Sequence, residues 1–179
     1  KAYALRDALN PGETCSDAEP RCVGATGTVT VRLSGATSGA GVPANPAALF
    51  AGPPSAARAP VLAYPNDGAV LPPNLRKLEV HFKPGNAANT VYEVRFASAS
   101  ADIAYYTRCT TGVTGGTLQG GSCALELDEA LYGALAETHK GGAVTLTVRG
   151  TDDTGTAVGT SAAFKVSFAE EAVAHTAQS

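Results

Sequence analysis

Four cysteines, three histidines and sixteen acidic residues are the groups of this 179-residue chain that could ligate a metal, activate a nucleophile or flank a glycosidic bond. A nucleophile needs a base beside it, and the base needs a third group to orient it. The nearest motif, Gly159-Thr160-Ser161-Ala162-Ala163, lacks the glycine that follows the serine in a nucleophile elbow and falls in a β-rich stretch. Ser161 therefore reads as a surface serine. The histidines lie far apart: His81 on a polar strand face, His139 near the end of an expected helix, where its charge would suit the dipole, and His175 in the tail. No triad assembles from them.

Glycoside hydrolysis requires two acids facing one cleft, about 5 to 10 Å apart. Asp152 and Asp153 are instead adjacent in a turn, where aspartate is favoured for backbone reasons. They are the candidates for calcium, with Asp128 or Asp67 if loops converge, although the D-x-[DN]-x-[DN]-G spacing is missing. Glu170 and Glu171 read as solvated tail. No cofactor is expected.

The cysteines form two local pairs, Cys15 with Cys22 and Cys109 with Cys123. Four cysteines allow three pairings, and the local one is favoured because each pair flanks a turn-rich loop. Structural zinc usually brings a C-x2-4-C knuckle, whereas the closest spacing here is C-x6-C. Disulfides, and with them an oxidising, extracytoplasmic compartment, are the expectation.

Tyrosine is the aromatic available for ligand contact, since Trp is absent. Adjacent Tyr105 and Tyr106 on a strand point to opposite faces, so one is expected in the core and the other exposed. An exposed ring with Arg108 on the same face would contact a sugar or a protein, and a cross-strand pair is the plainer explanation.

A net charge of -3, a pI near 5.6 and 16% charged residues leave no basic field for a phosphate backbone, so nucleic acid is not an expected partner. Twenty Gly and eleven Pro favour turns and short strands, and hence an all-β fold. No run of about 18 apolar residues is present to span a membrane. The chain starts at Lys1 without a leader pattern and contains no Met, so it reads as a processed or excised piece.

These groups must be positioned by short strands. Thr28 to Leu33 alternates and reads as a strand that needs an edge, either of the main domain or of a neighbouring chain. Ser34 to Ala57, with Val42, Leu49 and Phe50 its only large apolar residues, reads as a linker or draped arm. Residues 1–57 are thus an N-terminal arm, 58–168 the domain and 169–179 a tail.

Within the domain, Val61 to Tyr64 ends at the Pro65-Asn-Asp-Gly68 turn, and Val70-Leu71 runs into prolines. Leu78, Val80 and Phe82 alternate with polar residues, as do Tyr92, Val94 and Phe96, then Ile103, Tyr105 and Thr107. Ala124 to Leu127 is a further strand, and Asp128 caps a short helix stopped by Gly141-Gly142. Val144 to Val148 and Ala163 to Phe168 form the closing hairpin. Two antiparallel sheets packed face to face, with one helix and an extended N-terminal arm, satisfy this pattern. The loop between Cys109 and Cys123 is too short for the inter-sheet disulfide of an antibody domain, and reads as a local staple at a sandwich end, beside the helix.

Pro60-Val-Leu-Ala-Tyr-Pro-Asn-Asp-Gly-Ala-Val-Leu-Pro-Pro-Asn74, Tyr92-Glu-Val-Arg-Phe96 and Val144-Thr-Leu-Thr-Val-Arg-Gly150 resemble the fibronectin type III-like domain near the start of large bacterial surface or secreted proteins, often lipoproteins, with β-propeller-type repeats downstream. The likeness spans about residues 15 to 168, includes the Cys-x6-Cys arm, and departs where the chain reaches Ser179 without such repeats. It implies a fibronectin type III or immunoglobulin-like sandwich without chemistry of its own, serving as spacer, adhesion segment or assembly subunit. Its partners would be protein domains or identical subunits at strand edges, or surface polysaccharide. A carbohydrate-binding module and an accessory domain of a secreted hydrolase are the alternatives.

Overall fold

The structure, a computed structural model, describes residues 2–5, 22–25, 32–113, 116–118 and 120–173. Its contacts divide the chain into Lys1–Val31 and Arg32–Ser179. In the first unit, β1 (Ala2–Leu5) pairs antiparallel with β2 (Cys22–Ala25), from Ala2 opposite Ala25 to Leu5 opposite Cys22. Cys15 lies outside the described residues, and the Cys15–Cys22 pairing with it.

The second unit begins with β3 (Leu33–Ser38), two 3-10 turns (Pro46–Ala51 and Ala56–Arg58), β4 (Val61–Tyr64), β5 (Val70–Leu71) and β6 (Leu78–Lys83). It continues through β7 (Val91–Ala97), β8 (Ala101–Thr107), β9 (Gly112–Val113), β10 (Gly116–Thr117) and β11 (Cys123–Leu127). After α1 (Glu129–Thr138) it closes with β12 (Ala143–Thr151), β13 (Gly159–Thr160) and β14 (Phe164–Phe168). Three strands form one sheet in the order β11-β6-β4, and seven form another in the order β3-β8-β7-β12-β14-β5 with β13 on β12. The fold is all-β, as the composition and periodicity predict.

Alternation dictates the core. Leu78, Val80 and Phe82 of β6 are fully buried while Glu79 and His81 between them are half-buried. They meet Val94, Phe96, Leu146, Val148 and Val166 of the larger sheet in one cluster, and the Phe82 and Tyr92 rings lie 4.9 Å apart. Leu127 and Leu135 at the two ends of the β11–α1 corner join the same cluster. Asp128 Oδ1 accepts the Leu131 N–H at 2.8 Å, the expected cap of α1.

The stretch expected to be a linker is part of this unit. β3 lies parallel to β8, from Leu33 opposite Ala101 to Ser38 opposite Tyr106. β3 shares Leu33 with the strand expected over Thr28 to Leu33, of which 28–31 lie outside the described residues. The first 3-10 turn lays Phe50 on the outer face of the larger sheet, where it is buried with Val91, Tyr106 and Val158, and Val42 and Leu49 pack against them. The domain boundary therefore falls after Val31, because the few large apolar residues of 32–57 are anchors. The segment that leads into β4 passes between two glycines: a Cβ on Gly159 would stand 2.0 Å from the Arg58 carbonyl carbon, and one on Gly85 (φ 79°) 2.2 Å from the Ala59 oxygen. Only glycine permits so close a backbone approach.

Cys109 and Cys123 form a disulfide, with Cα atoms 4.9 Å apart. Cys109 follows β8 of the larger sheet and Cys123 opens β11 of the smaller, so a bond local in sequence ties the two sheets together. It is not beside the helix, since the length of β11 separates Cys123 from α1, roughly 13 Å at strand rise.

Candidate functional site

The residues singled out for ligand contact are brought together, in a structural role. Tyr105 turns inward and packs against the main core. Tyr106 turns outward, as alternation requires, yet is only 5% exposed because Phe50 covers it with ring centroids 5.7 Å apart. The expectation of one open ring fails here because the outer face of the sheet is roofed. Burial, then the neighbouring Glu93, pushes the Tyr106 phenol up from its ordinary range. Arg108 donates from Nε to the Gly41 carbonyl at 2.8 Å and from Nη1 to the Thr90 carbonyl at 3.1 Å, and pairs through Nη2 with Asp153 Oδ1 at 2.6 Å. Its guanidinium is a strut between loops.

The calcium reading meets the same outcome. Asp152 Oδ1 accepts the Thr154 N–H at 3.0 Å and hydroxyl at 2.6 Å, and the Thr156 N–H at 3.1 Å and hydroxyl at 3.2 Å. Its Oδ2 takes Arg58 Nη1 at 2.6 Å. Asp153 faces Arg108 and the Thr90 hydroxyl, Asp67 Oδ1 accepts the Lys165 N–H at 2.7 Å, and Asp128 caps α1. Each carboxylate is thus held by protein donors, Asp152 and Asp128 by neighbours in sequence, and Asp153 and Asp67 by residues of distant segments. Among the described residues no group of three or more His, Cys, Asp or Glu is placed to hold a metal.

The Thr154 hydroxyl, then Arg58, hold the Asp152 carboxyl well below the usual carboxylate range. A carboxyl depressed in the fold contributes its full stability above its unfolded value of about 4 and loses that contribution as acid protonates it. Denaturant midpoints followed from about pH 7 to about pH 2 should therefore fall in acid for the native chain and fall less for Asp152→Asn, which starts lower. An unchanged acid slope in the variant would count against this assignment.

Ser161 is buried rather than at the surface: its hydroxyl accepts the Val148 N–H at 3.0 Å and donates to the Ala162 carbonyl at 2.7 Å, completing the β12 edge. His175 lies outside the described residues. Glu170 and Glu171 are exposed, as expected of a tail, but Val173 is held by the Asn74 amide through its N–H at 3.1 Å and its carbonyl at 2.8 Å.

One open concavity carries several functional side chains. A groove of ≈ 290 Å³ on the smaller sheet is lined by Tyr64, Leu75, Lys77, Glu79 and His81. A register shift between Leu62 and Tyr64 sets Tyr64 opposite His81, with ring centroids 5.3 Å apart. His81 Nε2 lies 2.7 Å from Glu79 Oε2 on the same strand face. Beneath α1 the buried Tyr132 hydroxyl donates to the Pro72 carbonyl at 2.6 Å, and burial pushes that phenol up to about 12. The arrangement offers one exposed ring beside donors and acceptors of both signs. Alternation placed Glu79 and His81 on a polar face, but the irregular pairing that adds Tyr64 has no signature in periodicity.

Two further constellations escaped the sequence reading. Glu93 and Arg149 face each other across β7 and β12 as a bidentate pair with Nε–Oε1 2.8 Å and Nη2–Oε2 2.7 Å. His139 is buried against Ser98 and Ser100 of the β7–β8 turn. A hydroxyl beside an imidazole has the polarity of a nucleophile and its base, yet none of the described grooves opens onto Ser98. No protein-family model matches this sequence, and no curated protein matches it either.

Proposed function

We propose that the chain is a non-catalytic extracytoplasmic module of a bacterial envelope protein, a fibronectin type III-like or otherwise immunoglobulin-like β-sandwich that docks a neighbouring protein along the edge of β3. The strand order supports the sandwich: β11-β6-β4 shares one core with the antiparallel run β8-β7-β12-β14, two sheets each contributing one apolar face. A disulfide between the sheets suits an oxidising compartment.

The observation that carries the docking reading is β3 itself. It ends the larger sheet, and among the described residues no strand pairs with its outer edge. Its register with β8 runs unbroken over six residue pairs. Edge strands are commonly blunted by Lys, Pro or a bulge, and Leu-Ser-Gly-Ala-Thr-Ser has none of these. Outward N–H and C=O groups flanked by small side chains admit a partner strand by backbone pairing. Carbohydrate binding has less support, because among the described residues of 32–173 Tyr64 is the only strongly exposed aromatic and a single ring is not a platform.

A photo-crosslinking residue at Thr37 on β3, compared with one at exposed Thr145 on β12, tests this in the producing organism. A discrete adduct from Thr37 alone is expected. No adduct from Thr37, or the same adduct from both positions, sinks the reading.

A further inference from the structure

The backbone groups of β3 divide by residue. The Leu33 N–H donates to the Ser100 carbonyl and the Gly39 N–H to the Tyr106 carbonyl, both at 2.8 Å and both on the β8 side. Backbone direction alternates along a strand, so Leu33, Gly35, Thr37 and Gly39 turn their N–H and C=O groups toward β8, and Ser34, Ala36 and Ser38 turn theirs away from the sheet. Among the described residues no hydrogen bond takes up these outward groups. The side chains divide in the same way. Leu33 packs against the main core, which sets Gly35, Thr37 and Gly39 on the inner face, with Ser34, Ala36 and Ser38 on the outer. No charged side chain occurs from Leu33 to Val42.

We propose that the occupant of this edge is β3 of a second copy of the chain, antiparallel to the first about a two-fold axis between the two Ala36 residues, so that two larger sheets join into one. This rests on the reading of β3 as the edge that docks. The strand is self-complementary in that register. Ala36 faces its own counterpart and Ser34 faces Ser38 of the second copy, each as a hydrogen-bonded pair, which leaves no outward group of β3 unpaired. Between these pairs every larger residue meets a glycine: Thr37 faces Gly35 of the second copy, and Leu33 faces Gly39. A Cβ built on Gly35 meets nothing within 4 Å, so the threonine side chain has room there. On the outer face serine meets serine and alanine meets alanine, so neither like charge nor bulk opposes itself. A register two residues away keeps only two of the three hydrogen-bonded pairs and, in one direction, sets Thr37 against Thr37. The flanking Arg32 and Arg108 are each paired within their own copy, with Asp102 at 3.6 Å and with Asp153 at 2.6 Å. A closed two-fold pair also removes the unblunted edge from both copies at once.

Sedimentation equilibrium of the purified chain at about 100 µM should give twice the mass of 18.0 kDa. Ala36→Pro removes an N–H that points away from β8 and so leaves the ladder within the chain intact. It should raise the dimer dissociation constant by at least about tenfold, with an unchanged circular dichroism spectrum. Ala36→Cys puts two thiols beside the axis, where the Cα atoms of a hydrogen-bonded pair stand about 5.5 Å apart, within disulfide reach, and should link to itself on mild oxidation. Ser34→Cys, about 13 Å along the strand from its own counterpart, should not link to itself but should link to Ser38→Cys when the two variants are mixed. A native chain that stays monomeric, an unchanged constant in Ala36→Pro, or Ser34→Cys linking to itself as readily as Ala36→Cys overturns the proposal. If Ala36→Pro does not fold, the cysteine variants decide. Should Thr37 crosslink to a different protein in the producing organism while the purified chain is monomeric, self-pairing fails and edge docking stands. Absence of both the adduct and the dimer fails the docking reading with it.

Discussion

Arg149→Ala is expected to lower the unfolding free energy by about 3 to 5 kcal/mol, read as a fall in the denaturant midpoint. The Glu93 side chain is only 3% exposed, and Arg149 supplies both of its charge-assisted bonds. The same guanidinium lies 4.9 Å from the centre of the Phe50 ring and donates to the Phe50 carbonyl at 3.3 Å. Truncation therefore strands a buried carboxylate and removes the platform on which the first 3-10 turn rests. Removing both charges together, as Glu93→Leu with Arg149→Met, should cost far less than the single change, because the penalty lies in the unpaired ion rather than in the loss of the pair. A midpoint for Arg149→Ala equivalent to less than about 1 kcal/mol would show that water reaches Glu93.

The second large effect concerns the disulfide. Cys109→Ala with Cys123→Ala opens a closure of sequence separation 14, worth about 3 kcal/mol in the chain-entropy model. For a chain of this size, melting should fall by roughly 6 to 12 °C. Leaving Cys15 and Cys22 in place confines the change to this bond. A melting temperature within about 2 °C of the native chain would mean that the shared core and the Thr110–Ala124 hydrogen bonds hold the two sheets in register without it.

Much of the larger architecture was legible because alternation reports which residues face inward. Leu78, Val80 and Phe82, the Asp128 cap and the pairing of β12 with β14 all follow from side-chain period and end chemistry. Alternation does not report what covers the other face. Tyr106 and Glu93 sit at outward positions and are buried because Phe50, far away in sequence, roofs them. Nor does the composition of 32–57 reveal its few anchors among so many small residues. β3 has no periodic signal at all, since its residues are mostly exposed, and it is a strand because β8 offers an edge to pair with. The His139 cluster joins residues 41 apart through a helix end and a hairpin turn, and only tertiary placement reveals such a meeting.

The bond between Cys109 and Cys123 also changes what a break in the chain would mean. The residues between them form the β9–β10 excursion, in which Gly112, Gly116 and Thr117 are exposed, the kind of loop that proteases enter and insertions tolerate. A cut there would yield two polypeptides that still travel as one, each carrying strands of both sheets, and that part only when the bond is reduced. The loop is thus a place where new termini or a displayed peptide could be introduced without dividing the body of the fold.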